Sequence, residues 1–150
     1  MKPENVKRQL LGTYLAVVRN SVGARTFRNF FADVNGKHTD VMQDGRRSCA
    51  FFVSFILTGF GLAKRIHGTV DATIRDLLES GWVVVNQPAH GDVLVWEEKE
   101  VAGHWNKHIG FYIGADTAVS NDSKSGVPKK HHWTNKGKRK VEKIFRNPSL

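Results

Sequence analysis

The chain changes its hydrophobic period at Gly81, and that change decides what it can fold into. Ahead of it, Val6, Leu10, Tyr14, Val17 and Val18 fall at helical spacing, with Leu11 and Leu15 widening the stripe, which predicts a helix over Glu4 to Asn20. Val70, Ile74, Leu77 and Leu78 predict a second amphipathic helix, with Thr69 as its cap and Gly81 as its stop. Past Gly81, apolar and polar residues alternate. Trp82 to Asn86, Asp92 to Glu97, His108 to Ile113, Thr117 to Asn121 and Lys129 to Thr134 read as five strands divided by turn formers. Helices first and an antiparallel meander after them make an α+β arrangement.

Between the two amphipathic helices, Ser48 to Gly59 is apolar on nearly every side, so as a helix it is the buried central one. Asp44 or Ser48 caps its start, and Cys49 falls in its first turn. From Val22 to Asp44 the periodicity dissolves into a loop or short helical turn pinned by Phe27, Phe30 and Phe31.

With 150 residues, 40% of them hydrophobic, there is material for one domain spanning residues 1–150 and one core. No stretch approaches the roughly 18 uninterrupted apolar residues of a membrane-spanning helix. The N-terminal apolar part, Leu10 to Val18, is broken by Gly12, Thr13 and Tyr14 and lacks the pattern of an export signal. The formal charge is +9, and nine Lys/Arg against Glu142 alone lie between Lys124 and Arg146. Residues 135–150 therefore read as a basic C-terminal tail suited to anionic partners, nucleic acid or wall polymer among them.

The single cysteine excludes an internal disulfide, which leaves the thiol to be judged by its position. A cysteine in the first turn of a helix meets unpaired backbone N–H groups and the positive end of the helix dipole, both of which favour thiolate. The same N–H groups stabilise an oxyanion on a substrate carbonyl. Arg46 and Arg47 just upstream add positive field. A nucleophilic thiol needs a base, and the base needs an orienting partner. Among seven histidines, His108 stands out at the head of the clearest strand, His108 to Gly114. Across a tight hairpin, the end of the next strand returns beside it, bringing Ser120 or Asn121 next to the imidazole. Asn121 is preferred, because an amide oxygen accepts well from a ring N–H.

Cys49 at a helix start, then Pro88-Ala89-His90-Gly91-Asp92, then His108-Ile109-Gly110-Phe111-Tyr112-Ile113-Gly114, resembles the NlpC-like peptidases of the papain superfamily, with the CHAP amidases as cousins. The resemblance covers about Gln43 to Thr134. It implies a papain-like NlpC-type fold, with a central buried helix on a five-stranded antiparallel sheet. It also implies Cys49 as nucleophile, His108 as general acid and base, and peptidoglycan stem peptides or cross-links as substrate. The chain departs from the family at Ser48-Cys49-Ala50-Phe51, where Asp-Cys-Ser-Gly is usual, and at Ser120, where a histidine is common. Gln43, six residues before Cys49, has the spacing papain-like proteases use for a side-chain oxyanion donor.

No cofactor or metal is expected. His104 and His108 would share a face only in a helix, and His131 and His132 point to opposite faces of a strand. Trp105 and Trp133 are candidates for a substrate groove or for packing. The competing reading is a catalytically idle papain-fold module that binds nucleic acid or anionic wall polymer through its basic C-terminal region. Localisation follows function: cell wall or outside the cell for a wall hydrolase, otherwise cytoplasmic.

Overall fold

The structure is a computed structural model and describes residues 5–101 and 103–150. Its elements are α1 (Leu10–Asn20), β1 (Phe31–Val34), β2 (Lys37–Asp40), α2 (Cys49–Gly59), α3 (Val70–Glu79), β3 (Val83–Val85), β4 (Val93–Val101), β5 (His104–Gly114), β6 (Thr117–Asp122), β7 (Val127–His132) and β8 (Val141–Arg146). The arrangement is α+β: three helices against a six-stranded antiparallel sheet of order β3-β8-β4-β5-β6-β7, with β1 and β2 forming a separate hairpin. No helix among the described residues is long and apolar enough to cross a membrane.

The pleat sends alternate residues to two cores. Val93, Val95, Ile109, Phe111, Ile113, Val119 and Phe145 face the helices and meet Tyr14, Val18, Phe52, Val53, Leu57 and Leu77. Leu94, Trp96, Tyr112, Ala118 and Ile144 form a smaller core on the opposite face, closed by half-buried Trp133 and Val141. The apolar-all-round sequence of α2 follows from its place inside the first core. Phe52 meets Phe111 edge to face at 5.3 Å, Tyr14 does the same at 5.7 Å, and Phe27 crosses Phe52 at 4.9 Å.

Four expectations from the sequence change. Helix α1 begins at Leu10, because Val6 finds nothing to bury against; Glu4 itself lies outside the described residues. The stretch expected as a loop contains the β1–β2 hairpin, turned by Asn35 and Gly36, both at positive φ as a tight hairpin turn requires. Ser48 occupies the cap position of α2, yet its hydroxyl makes no cap bond, whereas Thr69 Oγ1 does accept from Ala72 N–H. Finally, the sheet has six strands where five were expected. The C-terminal segment expected as a basic tail supplies β8, which lies between β3 and β4 and buries Ile144 and Phe145.

The Gly91-Asp92 motif acts as a bolt in this architecture. The Asp92 carboxylate accepts from Ala89 N–H at 2.8 Å and pairs with Arg146, at the end of β8, at 2.7 and 3.0 Å. Gly91 adopts φ 91°, and its carbonyl accepts from the Tyr14 hydroxyl of α1 at 3.0 Å. One turn thus ties α1, β4 and β8 together.

Candidate active site

A sharply wound loop delivers the cysteine. Gln43, Asp44 and Gly45 are three successive residues at positive φ, a costly path for side chains with a Cβ, and the surroundings hold it in place. Arg28 grips the Asp44 carboxylate with two hydrogen bonds at 2.9 and 3.0 Å. Gly45 lies flat against Gly126, in the turn between β6 and β7, where a Cβ on either residue would collide with the other segment's backbone. Asn121 Nδ2 donates to Gly45 O at 2.7 Å. The loop then enters α2 with Cys49 as its first residue.

The sulfur sits among donors. The backbone N–H groups of Ile109, Ala50 and Cys49 itself favour its thiolate, as does the Arg139 guanidinium, but burial is the larger effect and pushes the thiol up. Desolvation thus reverses the expectation drawn from the helix start alone. Arg139 is anchored by two carbonyls, Nε to Glu97 O at 3.1 Å and a terminal nitrogen to Asn106 O at 2.7 Å, so its charge is fixed at the site.

His108 stands on the face of β5 that carries Trp96 opposite it, with ring centroids 5.3 Å apart. An extra residue bulges out of β4 between Trp96 and Lys99, just past this pair. Bulges of this kind re-aim side chains beside functional sites. His108 Nε2 is 2.8 Å from Ser120 Oγ, and the same hydroxyl is 2.7 Å from Nε2 of His131 on β7. His131 also packs on Trp96, at 5.5 Å. Burial holds the His108 imidazole down to about 3, with the charges of Arg139 and His131 adding to the effect. Burial thus disfavours the charged form of both the thiol and the imidazole, and the two groups belong to the wall of the same cavity.

Asn121 does not take the orienting place expected of it. It is buried on the other face of β6, where its amide holds the Cys49 loop, and Ser120 meets the imidazole instead. Gln43 is exposed and absent from the cavity wall, which removes it from the oxyanion position. Cys49, His108, Ser120, Asn121, His131 and Arg139 all line one cavity of about 760 Å³. Trp105, 67% exposed, stands at its edge, whereas Trp133 packs on Tyr112 in the second core.

No family model matches the chain, and no curated protein matches it. The functional reading therefore stands on the motifs and on this geometry.

The cavity is rich in cations. Arg46, Arg47, Lys107, Lys129, Lys130 and Arg139 line it, against Asp71, Glu98 and Asp122. Lys107 pairs with Asp71 at 3.1 Å and Lys129 with Asp122 at 3.4 Å. Among the described residues, Arg46, Arg47 and Lys130 carry no ion pair, so the cavity wall keeps a surplus of positive charge. No group of three or more His, Cys, Asp or Glu among the described residues is placed to hold a metal ion. Two participants escaped the sequence reading. Arg139 fell in the expected tail, where nothing distinguishes it from other basic residues. His131 carried a usable signal, since only one of His131 and His132 faces any given side of a strand.

Proposed function

We propose that the protein is a cysteine hydrolase that opens amide bonds, with peptidoglycan stem peptides or cross-links as substrate, as its likeness to NlpC-like peptidases and CHAP amidases implies. The observation that carries this reading is the convergence of Cys49, His108 and Arg139 on one cavity, with His108 Nε2 engaged by Ser120. A bonded Nε2 leaves Nδ1 as the nitrogen for the thiol. His108 takes the proton from Sγ as the sulfur attacks the carbonyl carbon, and the resulting oxyanion is met by the Cys49 N–H. The fixed charge of Arg139 favours negative charge as it develops. The imidazolium then gives its proton to the leaving amine, which departs as the carbonyl reforms. In the second half, His108 deprotonates water, hydroxide adds to the thioester, and Sγ leaves with the proton returned to it. Cys49→Ala is expected to abolish lysis of purified cell walls by a folded protein; unchanged lysis would remove Cys49 from the mechanism.

One observation favours a second reading, a papain-like module that holds nucleic acid or wall polymer on its cations: burial pushes the Cys49 thiol up, away from easy reaction. A thiol-selective probe separates the two. A catalytic Cys49 labels in the folded protein, whereas an idle one labels only after denaturation, and binding to polyanion then falls steeply with salt.

A further inference from the structure

We infer that His131 is a positioning residue: through Ser120 it decides which ring nitrogen of His108 carries the proton. The inference rests on His108 being the base, and follows from a chain of hydrogen bonds with one fixed end. That end is the backbone carbonyl of His132, 2.8 Å from His131 Nδ1. A carbonyl only accepts, so His131 Nδ1 carries a proton. In the neutral ring Nε2 is then bare, and at 2.7 Å from Ser120 Oγ it accepts the hydroxyl proton. The Ser120 oxygen, its one proton spent, accepts from His108 Nε2–H at 2.8 Å. His108 is left with a bare Nδ1, the form that takes a proton from a thiol. When His108 becomes imidazolium during the reaction, Nε2–H stays where it was and nothing in the chain has to turn.

A second proton on His131 reverses the chain. Nε2–H of His131 then donates to Ser120, whose hydroxyl turns to donate to His108 Nε2, and the His108 proton moves to Nδ1. The base is then blocked by the gain of one proton two hydrogen bonds away. The groups facing His131 bear on that event from every side: His108 from β5, Asp122 from β6, His132 and Asn135 from its own segment, Arg139 beyond it, and Lys99, Lys136 and Lys138 around an adjoining hollow. Asp122, the carbonyl of His132 and the Asn135 side chain favour the proton; burial and the charge of His132 oppose it, and burial is the larger.

The direct test is ring-nitrogen NMR of the histidine-labelled wild-type chain across acid to neutral pH. At neutral pH the His108 proton is expected on Nε2, moving to Nδ1 as His131 is protonated. A neutral His108 protonated on Nδ1, or one indifferent to His131, overturns the inference. Since this readout needs no turnover, it stands apart from failure of the hydrolase reading. Kinetics give a second arm. His131→Leu is expected to lower kcat roughly tenfold with KM held. His131→Gln, whose amide oxygen accepts the same hydrogen bond and gains no proton, restores kcat and extends activity to lower pH. A Leu variant with wild-type kcat and pH profile counts against the relay, and the NMR of the wild-type chain decides if that variant does not fold.

Discussion

Arg139 acts on Cys49 and His108 in opposite senses: its charge favours the Cys49 thiolate and disfavours the His108 imidazolium. Arg139→Met is therefore expected to move the pH midpoint of Cys49 alkylation upward. Thiol-labelling rates against pH measure it directly, and an unmoved midpoint would place the guanidinium outside the site's electrostatics. With His108 held down to about 3, the base stays unprotonated well below the ordinary histidine range. The acid limb of kcat/KM is accordingly expected below pH 6.5, with activity present above the limb and lost as pH falls through it. A limb at the ordinary value would mean that water reaches the imidazole freely.

The acidic hub between α2 and α3 makes its own prediction. Asp76, buried in α3, accepts from the backbone of Lys64 and Arg65 and from Ser80 Oγ, and it meets His67 Nε2 at 2.7 Å. His67 N–H in turn donates to Ser54 Oγ of α2. Burial alone would raise the Asp76 carboxyl, yet these donors outweigh it and bring the group from 3.8 to about 2. The native state then binds fewer protons than the unfolded chain, so the stabilisation is full above pH 3.8 and drains away as pH falls toward 2. It amounts to about 2–3 kcal/mol. Urea midpoints taken down this range should show the loss in the native chain and not in Asp76→Asn, which starts less stable.

How much of this was legible varies from element to element. Helix α2 was plain because a helix apolar all round has only one place to go. The β1–β2 hairpin carried a signal in Asn35-Gly36, masked by polar strands that bury almost nothing. Strand β8 was hidden because Lys140, Glu142, Lys143 and Arg146 surround its apolar residues, and an extra residue of β8, Glu142, opposite Val95 and Trp96 of β4 breaks the alternation. That Cys49 and His108 share one cavity wall was readable from position. The orienting residue turned on a single extra residue. An unbulged β5–β6 hairpin continued from Gly114 opposite Thr117 would set Asn121 opposite Gly110, on the face of His108. The irregularity between Tyr112 and Gly114 sets Ser120 there instead.

At the scale of the molecule, β8 is a structural member, against its appearance as a solvated basic run. It pairs with β3 on one side and β4 on the other, and it puts fully buried Phe145 into the helix-facing core. Phe145→Ala is expected to cost about 3–5 kcal/mol of unfolding free energy, measured by denaturant titration. Removal of residues 141–150 is expected to leave no cooperative transition at all. A chain cut there that still unfolds sharply would show the strand to be dispensable. The longer stretch from Lys124 to Arg146 holds nine Lys/Arg against Glu142 alone, so the proposed lysis of an anionic wall is expected to slow as ionic strength rises. A short neutral amide substrate should be far less sensitive to added salt.

The position of β8 also sets an order of events during synthesis. The ribosome makes Cys49, His108 and Ser120 before residues 141–146, yet β3 has no other partner in the sheet, and β4 keeps a bare edge until they arrive. An emerging polypeptide thus holds Cys49, His108, Ser120, His131 and Arg139 of the cavity wall while its scaffold is still open. A message truncated before this stretch would yield a product with an open sheet, fit for degradation.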